Sequence, residues 1–535
     1  MKNKNLTPKG KDGGFPSKMS HRKRRIFEML PGLYVWTLLL LPVVFAIFKL
    51  NTCLVIYISF LVAYWFFRTI KFVVGTWIGV KRMEHDVQVD WLEEIEKLGV
   101  EEKKKFDEMR FIYLCPVYAE SLEVLEPSFE AWSKSDIGGE KIDVVMAMEE
   151  KKKDMQIENF KKLEEKYGKK FGSMQYYVHP FGIEGEVAGV KGANINWATR
   201  HFVEKLEKEG KDVSRYLLIT CDSDLRPHEK YLSAIMYKYL TTTLPDQTFY
   251  ASAVHTFNNN IWSVPPLVRN QSNMLTQVMM HQWVFDQYIK IPFTKEFVTG
   301  KETFSSYVVN LKTLEEFEFW DPEIPNDDTA FYWNSMVKSK AMIKSEAVFI
   351  PTYSDAVENE NFWKTHVSYY KQQYRWGWGI ITHPITLAAL SLEEDFPVRR
   401  KLAMLSKMME YLWFLTVVFV LATGTNIMHL FNTDYQYTAF SHNLPKILSY
   451  VFTVVMLSNF AIVYYKSKIT PIPKGWKWYR YVWDFLETYL ITINMLTFSF
   501  IPYIQAITEM MFGFSKFKRH FYVTDKVRIK DKKDS

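Results

Sequence analysis

YLLITCDSD, residues 216–224, is an apolar run of strand length that stops on two carboxylates, Asp222 and Asp224, one residue apart. A short, continuous apolar run of this kind reads as a strand buried on both faces. Three similar runs precede it: FIYLCPVY (111–118), KIDVVMAM (141–148) and MQYYVHP (174–180). Charged stretches of helix length lie between them, and that alternation predicts βαβ units and a mostly parallel sheet. Ligands of such sheets sit at the carboxyl ends of the strands. The polar residues just after each run are therefore the candidates for chemistry.

Outward from this soluble-looking region, about 85–400, both flanks turn apolar. Of the 535 residues, 48% are hydrophobic and 16% aromatic, yet 24% are charged, so a soluble part and a lipidic part share the chain. Residues Leu30 to Phe48 and the run TCLVIYISFLVAYWFF (52–67) each approach the ~20 residues that span hydrocarbon, and predict a helical hairpin over 30–84. A signal peptide is the rival reading. No small-residue cleavage site follows, and the second apolar run comes at once. Tyr411–Leu430 and Ile447–Tyr465 predict further spans, and Pro502 divides the last apolar region, about 482–514, into two short or re-entrant segments. The segment 401–514 thus holds three to four segments.

The net charge of +7 is concentrated beside apolar runs: Lys18, Arg22, Lys23, Arg24 and Arg25 before the first, Lys516, Lys518 and Arg519 after the last. That is the positive-inside pattern of a membrane protein rather than a nucleic-acid-binding patch. It places a basic N-terminus (1–29), the 85–400 domain and a basic tail (515–535) in the cytoplasm, with no nucleic acid as partner. Lys466, Lys468, Lys474, Lys477 and Arg480 put the 466–480 link on the same side. The three cysteines, Cys53, Cys115 and Cys221, lack metal-ligand spacing, which argues against a zinc site or disulfide scaffold.

Two carboxylates at a strand end can hold Mg²⁺ or Mn²⁺ and, through it, a diphosphate. The same string also makes an ordinary solvated turn. Glu120 follows the first strand in PVYAES, and Glu149 and Glu150 follow the second in MAMEE, where an acidic first helical turn is the plainer reading. In GVKGANINWA (189–198), Lys191 suits a phosphate or nucleotide, Gly189 and Gly192 allow close backbone approach, and Asn194 offers hydrogen bonds. DPEIPNDDTAFYW (321–333) sets Asp327 and Asp328 before an aromatic helix, as caps or as a general base toward a sugar hydroxyl. YYKQQYRWGWG (369–379) puts Gln372 and Arg375 on one helical face, beside Trp376. Arginine can neutralise a departing diphosphate and an indole can stack on a sugar, although a basic aromatic helix also suits a membrane surface.

In this order, PVYAES, MAMEE, GVKGANIN, CDSD, NDDT and QQYRW, between an apolar hairpin and C-terminal apolar segments, the chain resembles the processive family 2 glycosyltransferases. These are the membrane synthases of cellulose, chitin, hyaluronan and related polymers. The resemblance spans about residues 25–515. It implies an α/β, GT-A type, Rossmann-like nucleotide-sugar-binding domain inserted between transmembrane helices. It further implies an inverting transfer, without a covalent intermediate, from a nucleotide-sugar (a UDP-sugar) to a growing polysaccharide, with coupled export at the plasma (inner) membrane. By the same resemblance Glu149, Lys191 and Asn194 bind the nucleotide-sugar, Asp222 and Asp224 bind metal and diphosphate, and Gln372 and Arg375 hold the pyrophosphate. Trp376 frames the acceptor glycan, and Asp328 is the base.

Two departures qualify that correspondence. The family motif T-E-D reads N-D-D here, which leaves Asp327 open as the base, and the second strand ends in Glu149 where the family has Asp. FYVTDK (521–526) resembles the stretch that follows the last membrane segment in the family. Two alternatives stand beside polymer synthesis: transfer of one sugar to a lipid carrier, and a non-catalytic membrane protein that binds nucleotide-sugars. Sugar, linkage and partner subunits are not written in the motifs, because specificity lies in pocket shape.

Overall fold

The computed structural model describes residues 14–17, 19–186, 189–424 and 430–513. Its centre is a seven-stranded sheet of β1 (Arg110–Val117), β2 (Ile142–Glu149), β3 (Ser173–His179), β4 (Tyr216–Thr220), β5 (Thr248–Ser252), β6 (Tyr307–Asn310) and β7 (Lys344–Val348). The order across it is β7-β5-β6-β4-β1-β2-β3. The four apolar runs read from sequence are β1 to β4, and all four run parallel. β5 and β7 also pair in parallel, while β6 runs antiparallel to β4 and β5. The sheet is mostly parallel, with one reversed strand.

Alternation along the strands builds two cores. Ile112, Leu114, Val145, Ala147 and Leu218 enter one apolar layer, and Phe111, Tyr113, Val144, Met146, Leu217 and Ile219 enter the other. Each of the larger of these side chains contributes about 1.5–3 kcal/mol on leaving water, and both faces must be covered. Phe202 and Leu206 of the Lys191–Lys208 helix and Met280 and Trp283 of the Pro266–Phe285 helix cover the first, joined by Val80 and Met83 from the end of the Asn51–Asp86 helix. Leu125, Phe129 and Trp132 of Leu122–Trp132, with Phe160 and Leu163 of Lys153–Tyr167, cover the second. Because β1 to β4 are parallel, their carboxyl ends emerge along one edge.

Among the described residues four helices are long and apolar enough to cross a membrane, by length and composition: His21–Ile47, Asn51–Asp86, Val398–Thr423 and Trp478–Phe512. A further helix of 31 residues, Ala439–Ile469, contains the run Ile447–Tyr465. The first helix starts earlier than the apolar stretch, with Ser20 accepting a hydrogen bond from the Lys23 amide as N-cap. Arg22 to Arg25 therefore lie on helical turns. Arg25 donates to the carbonyls of Met510 (3.1 Å) and Met511 (2.7 Å), closing the exposed end of the last helix. The last of these four, Trp478–Phe512, is not one continuous helix but three consecutive pieces, Trp478–Glu487, Leu490–Leu496 and Ile501–Phe512. Pro502 sits in the first turn of the last piece, where a missing N–H is harmless. Residues 1–13, Lys18, residues 425–429 of the run Tyr411–Leu430, and the tail with Lys516, Lys518, Arg519 and FYVTDK lie outside the described residues.

Candidate active site

The parallel edge gathers the strand-end residues. β1 leads to Tyr118 and Glu120, whose carboxylate accepts a hydrogen bond from the Tyr118 amide at 2.6 Å. β2 ends on Glu149, and β4 runs into Asp222, Ser223 and Asp224. Gly189, at φ 76°, makes the left-handed turn that a side chain resists, and Lys191 opens the helix just beyond it. Asp327 and Asp328 begin the Asp327–Lys338 helix. The Phe362–Gly377 helix supplies Gln372, Arg375 and Trp376 from the opposite side. One cavity of about 220 Å³ is lined by Glu149, Lys191, Asn194, Asp222, Asp224, Asp327, Asp328, Gln372, Arg375 and Trp376 together.

The carboxylates differ in setting. Asp224 is buried, accepts a hydrogen bond from the Asp355 amide at 3.0 Å, and has its own carbonyl held by Asn259. Asp222 lies farther out and accepts a bond from Lys191 Nζ at 3.0 Å. The same ammonium stands 3.5 Å from Asp327. Burial opposes the lysine charge, but Asp222, Asp327 and Asp328 outweigh it and hold the group well above the usual lysine range. Burial, and then repulsion from Asp327, pushes the Asp328 carboxyl up to about 6, against the pull of Lys191 and the Thr329 amide. Asn194 donates to the Ala147 carbonyl at 2.9 Å, so its nitrogen secures β2 and only its buried oxygen, without a hydrogen-bond partner, is left for a ligand.

Charge balance bears on metal binding. Glu120, Glu149, Asp222, Asp224, Asp327, Asp328, Asp355 and Glu358 line the cavity, against Lys191 and Arg375 as its cations. A diphosphate entering so acidic a space requires added positive charge. Among the described residues no three His, Cys, Asp or Glu side chains form a cage for an ion by themselves. Mg²⁺ is held in just that way, by one or two carboxylates completed by substrate phosphates and water. Asp222 and Asp224 fit such a site.

Neither a family model nor a curated protein sequence matches the chain. Among solved structures it is similar to the mannosyltransferase PcManGT of Pyrobaculum calidifontis in complex with GDP-Man and Mn²⁺. Identity there is 12% over 83% of this chain and 99% of that one, with a TM-score of 0.38. It is similar to residues 1–349 of S. aureus TarS in complex with UDP-GlcNAc, at 12% identity over 76% and 92%, TM-score 0.32. GalNAc-T7 with UDP, GalNAc and Mn²⁺ gives 8% identity over 55% and 54%, TM-score 0.29.

The cavity also holds side chains that the motifs passed over. His255 is buried, its Nδ1 lies 3.0 Å from Thr352 Oγ1, and its Nε2 has no hydrogen-bond partner. Burial pushes its imidazole down to about 4, against the attraction of Asp222 and Asp224, so it is neutral at pH 7. Phe304 packs edge-on against Trp376, with ring centroids 6.2 Å apart, and against His255 at 5.6 Å. His255 follows β5 as Asp222 follows β4, but TFYAS mixes polar with apolar residues and does not stand out as a strand in the sequence.

Proposed function

We propose that the chain is an inverting, GT-A type glycosyltransferase of the family 2 kind that draws on a nucleotide-sugar and extends a polysaccharide. The observation that carries this reading is the single acidic cavity shared by the two strand-end aspartates, the Asp327–Asp328 pair and the Gln372–Trp376 helix face. Glu149 would meet the nucleoside, and Lys191 and Arg375 the diphosphate. Asp222 and Asp224 would hold Mg²⁺ or Mn²⁺, which supplies positive charge for the leaving diphosphate. The aromatic wall of Trp376 and Phe304 suits a sugar face.

Of the two adjacent aspartates, Asp328 is the better base. Asp327 is engaged by Lys191, whereas the Asp328 carboxyl is pushed up to about 6 and so holds a proton more strongly while still ionised at neutral pH. In the proposed step the acceptor oxygen attacks the anomeric carbon and the bond from that carbon to the diphosphate oxygen breaks. Asp328 takes the hydroxyl proton, and the nucleoside diphosphate leaves with the electron pair. The long apolar helices and the flanking basic residues favour a plasma-membrane enzyme with its cavity on the cytoplasmic side and export of the product.

The test is release of nucleoside diphosphate from a broad panel of nucleotide-sugars by full-length protein in lipid nanodiscs with Mg²⁺ or Mn²⁺. At least one donor is consumed, and Asp328→Asn slows turnover by about 10²–10⁴-fold, the range for a lost general base. Product length by mass spectrometry then separates a polymer from a single sugar on a lipid. Wild-type protein that consumes no donor would sink the proposal.

A further inference from the structure

β2 and β3 pair in parallel so that their last residues, Glu149 and His179, are register partners. This sets an imidazole beside a strand-end carboxylate that lines the cavity. His179 is only 3% exposed. Its Nδ1 is 3.3 Å from both carboxylate oxygens of Glu149, and its Nε2 is 2.7 Å from Glu186 Oε2. Both ring nitrogens thus face carboxylates, and only a doubly protonated ring donates to both. Burial alone lowers the basicity of this imidazole, but Glu149 and Glu186 reverse the effect and raise it to about 9. The Trp197 ring, 5.8 Å away, packs on the same imidazole. Glu149 lines the cavity, whereas His179 and Glu186 stand behind it.

We propose that His179 is a positioning residue for nucleoside recognition, an imidazolium clamped between Glu149 and Glu186 that holds the Glu149 carboxylate in the orientation that accepts an N–H from the nucleobase. A free glutamate side chain loses rotamer freedom when immobilised. Held in advance by His179, Glu149 meets that loss during folding rather than at binding, which is how preorganisation raises affinity. Without the imidazolium, two buried carboxylates would be left with no cation between them, and Glu149 would turn toward solvent. The proposal rests on the reading of this cavity as a nucleotide-sugar site. Its specific content is that His179 acts on the nucleoside and not on the diphosphate.

Calorimetric titration of full-length protein in nanodiscs with Mn²⁺ tests it, using UDP, GDP, CDP, ADP and inorganic pyrophosphate as ligands. His179→Gln should weaken the best-bound nucleoside diphosphate by roughly 10–100-fold, the range for a lost charged hydrogen bond, and leave pyrophosphate affinity within about twofold. The donor KM should rise by a similar factor while kcat moves much less. Glu149→Gln should show the same loss, and the double variant no further loss, because both changes act at one point. Glu186→Gln, which keeps an acceptor for Nε2, should have the mildest effect of the set. Equal losses for pyrophosphate and nucleoside diphosphate, or additive losses in the double variant, would overturn the proposal. Wild-type protein that binds pyrophosphate but none of the four nucleoside diphosphates would overturn the reading of the cavity, and this proposal with it.

Discussion

Replacing Lys191 by Met removes the cation on which the acidic cavity closes while keeping most of the side-chain volume. Its ammonium stands 3.0 Å from Asp222 and 3.5 Å from Asp327. At an effective dielectric of ~20, each attraction is about 5 kcal/mol before desolvation. The two do not count equally. The Asp222 side chain is 37% exposed, and solvent screening reduces its share to about 1 kcal/mol or less. The Asp327 side chain is 9% exposed, so losing its partner strands a buried charge, a change that costs about 3–5 kcal/mol. Lys191 is itself 19% exposed, which favours the lower end, ~3 kcal/mol. At roughly 2–4 °C per kcal/mol for a domain of this order of size, the domain over about 85–400 should unfold about 6–12 °C lower. Intrinsic tryptophan fluorescence reads this, since Trp320 and Trp333 are buried in that domain. Lys191→Met combined with Asp327→Asn removes the charge at position 327 together with its partner and should recover most of that loss. A single variant with unchanged Tm, or a double variant no more stable than Lys191→Met, would refute the reasoning.

Three further outcomes follow from the same cavity. Because the Asp328 carboxyl is pushed up to about 6 and must be ionised to accept a proton, kcat should fall as pH drops through about 6 and level off above it; a flat profile from pH 5 to 8 excludes Asp328 as the base. Chelation by EDTA should abolish both turnover and nucleoside diphosphate binding, and Mn²⁺ or Mg²⁺ should restore them, since eight carboxylates repel an uncompensated diphosphate; turnover that persists in EDTA counts against the site. Gly377→Ala would place a Cβ 3.0 Å from the Tyr503 backbone and 3.2 Å from Ala506, so the helix carrying Gln372, Arg375 and Trp376 must shift. Overpacking of this kind costs about 1–3 kcal/mol, and a raised donor KM with a lowered Tm is the expected result.

The strands β1 to β4 were legible because each lies in an apolar run followed by polar residues. β5, β6 and β7 were not, since TFYAS and KSEAV mix polar with apolar residues, YVVN has only four positions, and all three gain strand character only from neighbours in the sheet. Tertiary context decides such segments. The candidate cavity residues carried a local mark, an acidic pair or a motif such as Q-x-x-R-W. His255 and Phe304 carried none. His179 lies in the run MQYYVHP without a local mark, because its meaning depends on Glu149 thirty positions earlier and on Glu186.

The amino-acid order alone determined the apolar periodicity, and with it the parallel core, the long apolar helices and the acidic residues at strand ends, because these depend on side chains a few positions apart. Which of those residues share one cavity, and how each carboxylate is held, only the tertiary structure decided. Lys191 reaches Asp222 and Asp327 across separations of 31 and 136 positions, and the proton affinity of Asp328 follows from burial and from charges brought close by folding. Electrostatic interaction depends on distance through space and on exclusion of water, and neither quantity is written in chain order.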